Sequence, residues 1–198
     1  MKKNLTKIIL ISALAAMPLF AAQNNKKEES IYKYNSYSLL AFEGGYSSFD
    51  YESNSTPPVR KSPGFAYGGI KIGAQTENYR LFLSARYCPI DNFDYAYTMG
   101  AEAQYLFNFS KMANFYVGVN AGIAEMRFVD ATNLTRDISD PYVGGDMGFN
   151  IHLGENADLE LGVRVMSLNA ENTKAGVTYT FDTIASGYTS IIFKFQMD

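Results

Sequence analysis

Side chains alternate between apolar and polar character along most of this 198-residue chain. The stretch at 97–107 reads YTMGAEAQYLF, with Tyr, Met, Ala, Ala, Tyr and Phe at the odd positions. Most even positions between them are small or polar, including Glu102 and Gln104. Because a β-strand sends successive side chains to opposite faces, this pattern predicts a strand with one apolar, uncharged face and one polar face.

The same alternation predicts eight strands in all, at residues 37–49, 65–74, 79–87, 97–107, 115–124, 142–152, 159–166 and 179–195. The connections after the second, fourth and sixth strands are short. We expect long polar loops at 50–63, 129–141 and 167–178. Transmembrane barrels have short periplasmic turns and longer outer loops. The pattern predicts an all-β fold over residues 37–198: an eight-stranded antiparallel up-and-down transmembrane β-barrel.

The charged residues predict which face of each strand points outward. In the strand centres they all fall on the polar face, at Glu43, Lys71, Arg80, Arg86, Glu102, Asp146, Glu160, Arg164 and Lys194. An Arg or Lys facing lipid at mid-depth costs about 2–4 kcal/mol, which favours a lipid-facing apolar side and charges in the lumen. We expect structural ion pairs there, with a narrow conducting path as the alternative. A soluble, lipocalin-like barrel would instead enclose the apolar face.

The N-terminus has the layout of a secretory signal peptide. Three lysines precede the apolar run IILISALAAMPLFAA at 8–22, and Pro18 interrupts it. A spanning helix needs roughly 20 apolar residues, so we favour a signal peptide at 1–22, cleaved after Ala21 or Ala22, over a membrane anchor. The polar segment 23–36 is predicted to be a flexible periplasmic lead-in. The mature chain is therefore predicted to be exported.

Composition argues against several classes of function. The formal net charge is −3, and loss of the three leader lysines makes it −6, so no basic nucleic-acid footprint is present. Cys88 is the single cysteine and His152 the single histidine, which excludes an intramolecular disulfide and most histidine-based chemistry. We predict no catalytic, cofactor or metal site. His152 is interpreted as an interfacial polar residue, Cys88 as incidental, and the acidic segment 130–140 as a solvated loop rather than a divalent-cation site.

Several short motifs resemble the opacity-protein and OmpA-transmembrane-like class of small outer-membrane β-barrels. They are the sequence EGGYS at 43–47, Gly-Gly pairs at 68–69 and 144–145, and an aromatic last strand. In that class the assembly machinery reads a C-terminal Phe, so the resemblance implies an assembly signal at Ile191, Phe193 and Phe195. Here a tail, Gln-Met-Asp, follows. The His-x-Ser pattern of lipid A deacylation is absent, because residue 154 is Gly.

We therefore expect a non-enzymatic protein in the outer membrane of a Gram-negative bacterium. It would contribute to envelope integrity or present its outer loops to host or other surfaces. A narrow porin-like channel is the alternative, and a soluble periplasmic ligand-binding barrel is the third. The expected partners are outer-membrane lipid and lipopolysaccharide, the barrel-assembly machinery and a surface ligand. We expect a monomer that binds no nucleic acid.

Overall fold

The computed structural model describes residues 36–55, 58–90, 93–130 and 133–197. The predicted signal peptide lies outside the described residues, as does the predicted lead-in apart from Ser36. Within the described ranges, no helix has the length and apolar character needed to cross a membrane.

Eight long strands close into one barrel. The strands are β1 (Tyr37–Ser53), β2 (Val59–Lys61), β3 (Gly64–Gln75), β4 (Tyr79–Tyr87), β5 (Phe93–Phe107), β6 (Ala113–Val129), β7 (Thr135–His152), β8 (Ala157–Lys174) and β9 (Val177–Gln196). Strands β3 to β9 pair in order, β1 pairs with β3, and β9 pairs back with β1, all antiparallel. The three-residue β2 pairs with the end of β1 beyond β3. The predicted eight-stranded up-and-down barrel is confirmed.

The apolar face of each strand points outward, as predicted. Val119 and Val143 are 65% and 64% exposed, and similar side chains surround the barrel. The members of this belt include Phe42, Ile70, Ile72, Leu81, Met99, Val117, Met147, Phe149, Leu161, Val163, Val165 and Ile191. Soluble monomers rarely expose an apolar patch larger than a few hundred Å². A continuous belt of this kind is covered by lipid, which argues against the soluble barrel.

Aromatic rings mark one edge of the belt. Tyr79 contacts Tyr105 with ring centroids 5.2 Å apart, and Tyr105 contacts Phe107 at 4.8 Å. The chain of rings continues from Phe107 to Phe115 and from Phe115 to Phe149. Such girdles flank the apolar band of outer-membrane barrels. This girdle lies at the end that holds the short turns 76–78, 108–112 and 153–156, which is the periplasmic end of such a barrel.

Two of the predicted outer loops are wrong. Strand β7 already begins at Thr135, so most of 129–141 is strand. Strand β8 continues to Lys174 and β9 begins at Val177, which leaves a tight turn at Ala175 and Gly176, both with positive φ. The remaining predicted loop, 50–63, contains the end of β1 and all of β2. Above the belt the outward side chains face water and need not be apolar. The strands and their hydrogen bonds therefore continue beyond the residues at which the apolar-outward pattern stops.

The interior has two layers. Charged and amide side chains fill the part inside the belt. Above it the apolar and polar residues exchange faces of the strand. Ala124, Met126 and Phe128 point inward there, while Glu125 and Arg127 point outward. The upper interior is therefore apolar, and the barrel wall continues beyond the membrane as an outer extension with a polar exterior.

Candidate functional site

The lumen inside the belt carries a balanced set of buried charges. The nine residues predicted for the polar face all point inward, and Asp158 joins them. The acids are Glu43, Glu102, Asp146, Asp158 and Glu160, and the bases are Lys71, Arg80, Arg86, Arg164 and Lys194. Five negative groups thus face five positive ones. An unpaired buried charge is costly, so this balance makes the polar lumen physically tolerable.

Glu43 on β1 forms the centre of the upper half of this network. Arg164 approaches it in a bidentate manner, with Nη1–Oε1 at 2.8 Å and Nη2–Oε2 at 3.1 Å. Arg86 donates from Nε to Oε1 at 2.7 Å, and Lys71 Nζ lies 3.1 Å from Oε2. The Tyr67 hydroxyl donates to Oε1 at 3.0 Å. Donors from β3, β4 and β8 therefore converge on one carboxylate and tie opposite walls together.

Glu160 on β8 is the second centre. Lys71 Nζ donates to Oε1 at 2.6 Å, and Arg80 Nη1 donates to Oε2 at 2.9 Å. Lys71 thus links the two carboxylate centres across the lumen. Arg80 also reaches the amide oxygens of Asn150 at 3.1 Å and Gln75 at 2.9 Å. Lys71 and Arg80 each have acceptors on more than one strand.

Glu102 and Asp146 are held differently. Glu102 pairs with Arg86 and lies 3.5 Å from Arg164 Nη2. Asp146 accepts hydrogen bonds from amides instead, with Gln104 Nε2 at 2.9 Å and Asn120 Nδ2 at 3.2 Å. Among the described residues Asp146 makes no salt bridge, unlike the ion pair that the sequence analysis predicts.

Asp158 closes the lumen at the periplasmic end. Lys194 Nζ lies 2.8 Å from Oδ1, and His152 Nδ1 lies 2.7 Å from the same oxygen. Arg80 Nη2 is 3.7 Å from Oδ2. The strand predicted from the sequence begins at Leu159 and therefore leaves out Asp158. The alternation of β8 extended by one residue would have found it.

Aromatic rings pack between the charged groups. The Tyr116 and Tyr188 hydroxyls lie 2.6 Å apart in the centre of the lumen. The Arg164 guanidinium lies 4.3 Å from the Tyr188 ring centroid, and Lys71 Nζ lies 4.8 Å from that of Phe82. A cation over a ring face is attracted to it, most strongly away from water. Rings and ion pairs together leave the lumen filled by side chains, as is usual for eight strands.

An apolar cluster lies above the charged network. It is built from buried side chains of seven strands, namely Phe49, Phe65, Ala96, Ala124, Met126, Phe128, Ile138, Tyr142, Met166, Leu168, Ala170, Phe181 and Ile184. Half-buried Cys88 packs against it. Burial raises the pKa of the Cys88 thiol to about 12, which keeps it protonated and unreactive at neutral pH.

Arg136 holds the outer extension together. Its Nε lies 2.6 Å from Asp130 Oδ2, and its side chain is fully buried. Nη1 donates to the carbonyl oxygens of Asn172 and Val177, both at 3.0 Å, and Nη2 to that of Lys174 at 3.3 Å. The interpretation of 130–140 as a solvated loop is therefore wrong, because Asp130 and Arg136 form a buried ion pair.

The remaining predicted site residues lie on the outer surface of β9. Ile191, Phe193 and Phe195 are exposed towards lipid, and Phe193 contacts Phe42 of β1 with ring centroids 6.5 Å apart. Their role as an assembly signal stays a prediction. In the described part of the chain, no cluster of three or more His, Cys, Asp or Glu side chains could hold a metal ion.

Several solved structures share this fold. Neisserial surface protein A matches with a TM-score of 0.59 at 16% identity, covering 79% of this chain and 97% of that one. The N-terminal β-barrel domain of Pseudomonas aeruginosa OprF matches with 0.53 at 15%, covering 81% and 98%. The outer membrane protein OprG from Pseudomonas aeruginosa matches with 0.52 at 10%, covering 82% and 98%. No protein-family model and no curated protein matches the chain.

These likenesses show a fold and do not assign a role. They agree with the two features that the structure provides on its own, the closed eight-stranded barrel and the apolar belt that lipid must cover. The chain is a small transmembrane β-barrel of the outer-membrane type.

Proposed function

We propose that the protein is a sealed, non-enzymatic barrel in the outer membrane of a Gram-negative bacterium. It contributes to envelope integrity and presents its outer extension at the cell surface. The single observation that carries this proposal is the filled lumen. Lys71, Arg80, Arg164 and Glu102 are all fully buried in the middle of the barrel, where a channel would need water.

The lumen ion pairs have a structural role in this proposal. Each carboxylate centre receives donors from strands on opposite walls, so a pore could open only if several charges lost their partners together. Removing one partner of a buried pair costs about 3–5 kcal/mol, because the other charge stays buried. A spontaneous opening of the network is therefore improbable at equilibrium.

The outer extension supports a surface role. Its outward side chains are polar and include the exposed pair Arg127–Asp137, with Nε–Oδ1 at 2.5 Å. The surface that it offers is a strand-built wall with tight hairpin ends, in place of the long loops expected from the sequence. Lipopolysaccharide around the wall, a host or surface ligand at its rim and the barrel-assembly machinery are the proposed partners.

Conductance in planar lipid bilayers tests the sealed lumen. We expect the purified barrel to show no steady conductance, while Lys71→Ala combined with Arg80→Ala opens a small, reproducible path. Tyr79→Ala, which alters only the lipid-facing girdle, is the control and stays closed. Reproducible open channels in the unmodified protein would reject the seal and favour the narrow channel.

A deletion strain tests the role in the envelope. Without the protein, we expect greater sensitivity to detergent and to large antibiotics that the outer membrane excludes. The unmodified gene restores resistance. A closed barrel in bilayers together with an unchanged envelope in the deletion strain would limit the protein to surface presentation, which adhesion of the same strain then measures.

A further inference from the structure

The outer mouth of the barrel contains a large cavity. Its volume is about 1110 Å³, and it lies between the apolar cluster and the exterior. Aromatic rings are the largest group in its wall, with Phe49, Tyr51, Phe65, Phe93, Phe128, Tyr179 and Phe181. We name it the aromatic chamber. Small-molecule sites in proteins range over roughly 300–1,000 Å³ and are lined by apolar and aromatic groups, so the chamber has the character of a ligand site and is slightly larger than most.

The rings of the chamber are arranged as a continuous surface. Tyr51 stacks on Tyr179 and on Phe181, with centroids 6.3 and 5.8 Å apart. Phe128 meets Tyr179 edge-on at 5.5 Å, and Phe93 contacts Phe128 at 4.9 Å. Ring faces carry the negative end of the aromatic quadrupole, and therefore attract cations.

The structure already contains a cation on one of these rings. The Arg136 guanidinium lies 4.5 Å from the centroid of Tyr179, at the edge of the chamber. The same ring lines the cavity. A side chain of the protein thus shows how a positive group is accommodated there.

The charge around the mouth favours a cation. The described parts of the outer end, residues 47–55, 58–66, 88–90, 93–94, 124–130, 133–141 and 167–184, contain nine acidic and five basic residues, a formal charge of −4. Asp94 is exposed and lines the chamber itself. Such a field attracts cationic molecules to the mouth and repels anions.

We propose that the aromatic chamber binds an organic cation with an aromatic body, taken from the exterior. The body contacts the rings, and the positive group lies between the ring faces and the acidic rim. The apolar cluster forms the floor, and the charged lumen network fills the barrel beneath it, so the ligand is held at the surface. The chain has no tryptophan, which allows a direct test with a single fluorescent reporter.

The experiment uses the full barrel in lipid nanodiscs with Tyr179→Trp as the reporter. Three probes share a bromophenyl ring and carry a cationic, neutral or anionic group: 4-bromobenzylammonium, 4-bromobenzyl alcohol and 4-bromobenzoate, whose bromine quenches tryptophan. Tyr79→Trp, on the lipid-facing girdle at the other end, is the control reporter. We expect saturable quenching of the chamber reporter by the ammonium and a linear, unsaturable response of the control reporter.

Charge dependence decides the chemical class. We expect the ammonium to bind roughly tenfold more tightly than the alcohol, as a desolvated cation–π contact of about 1–2 kcal/mol implies. The benzoate should bind more weakly than either. Asp94→Asn should weaken the ammonium about threefold and leave the alcohol unchanged, while Glu171→Gln, an exposed carboxylate outside the chamber, should change neither.

Either of two results overturns the proposal. Quenching that stays linear for all three probes at Tyr179→Trp would show that the chamber is not a site. Equal affinity for the ammonium and the alcohol would reject the organic cation as its ligand. Should Tyr179→Trp fail to fold, Phe93→Trp places the same reporter on the opposite part of the wall.

Discussion

Glycines in the barrel wall make room for tyrosine rings. Gly148 and Gly162 lie side by side in neighbouring strands, beneath the hydroxyl of Tyr116. A Cβ on Gly162 would contact that hydroxyl and lie 2.7 Å from Cζ of Tyr188. The Tyr116 and Tyr188 rings therefore fit in the centre of the lumen only because these two wall positions have no side chain.

Gly162→Ala should destabilise the barrel by about 1–3 kcal/mol, because the added methyl group overpacks a filled lumen. Gly187→Ala is the matched control, since nothing lies within 4 Å of its added Cβ. It should be neutral or stabilising by up to about 1 kcal/mol. Urea unfolding in lipid vesicles measures both. Equal effects of the two substitutions would show that the tyrosine rings do not set the requirement for glycine.

Cys88 should react slowly with iodoacetamide in the folded barrel. The thiol pKa of about 12 keeps it protonated between pH 7 and 9, whereas an unfolded chain ionises near its ordinary value of about 8.5. The folded state binds more protons than the unfolded state between these values, so this group stabilises the barrel below the unfolded pKa and loses that effect as pH rises towards 12. Alkylation rates of folded and urea-unfolded protein against pH provide the measurement. A folded rate that rises with a midpoint near pH 8.5 would contradict the burial.

The positions of the lumen charges could be predicted from the sequence, but their partners could not. The period of two sends Glu43, Lys71 and Arg164 to the same side of their strands. Which of them meet depends on the stagger of the strands around the closed barrel, and the alternation of apolar and polar residues does not determine that stagger. Asp146 illustrates this, because its neighbours turn out to be amides.

Among the elements, β7 and β8 separate where the wall leaves the belt. Their ladder ends at Tyr142 and Leu168, although both strands continue outward. Pro141, which lacks an N–H to donate, follows directly beyond the last pair. Arg136 bridges this gap through carbonyl oxygens of β8 and β9. Asn172 Nδ2 and Lys174 Nζ of β8 also donate to β7, to the carbonyl oxygens of Asp137 and Thr135. Side-chain hydrogen bonds therefore replace the missing ladder, and Arg136 makes the largest number of them.

Arg136→Ala should destabilise the outer extension, and we expect a loss of about 3–5 kcal/mol because Asp130 is left buried without its cation. Hydrogen exchange should increase at 135–141 and 169–174 and stay unchanged in the belt. Arg127→Ala is the control, since its pair with Asp137 is solvent-exposed and screening by water leaves such a pair little effect on stability. Unchanged exchange in Arg136→Ala would show that the other contacts between the two hairpins hold them together without Arg136.

The strands inside the lipid were predictable, and their outer extensions were not. Strands β3 and β4 agree with the predicted 65–74 and 79–87 to within one residue at each end. On β6, Glu125 and Arg127 point outward while Met126 and Phe128 point inward, the reverse of the pattern below. On β7, exposed Asp137 and buried Ile138 follow the same reversal. In the sequence, the apolar residues of β6 change from odd to even positions at Ile123–Ala124. This change was the available evidence for an extension whose exterior faces water.

At the scale of the whole molecule, two environments account for the architecture. Lipid requires an uncharged exterior over the belt, and the narrow lumen accepts charges only in balanced numbers. In the outer extension the two sides of the wall are exchanged, because polar side chains face water outside and most of the inward side chains are apolar. The lumen is thus filled by charged, amide and aromatic side chains in the membrane, and aromatic rings line the interior above it.

The stability of Ala101→Arg tests this account most directly. Ala101 faces lipid beside Glu102, which faces the lumen and is buried. A guanidinium at Ala101 should cost about 2–4 kcal/mol of folding free energy in lipid vesicles. Asn169→Arg, an exposed site on the outer extension, should cost no more than about 0.5 kcal/mol. The measurement is urea unfolding in vesicles, followed by the heat-modifiable shift on gels. An Ala101→Arg barrel as stable as the parent would contradict the lipid-facing assignment of the belt.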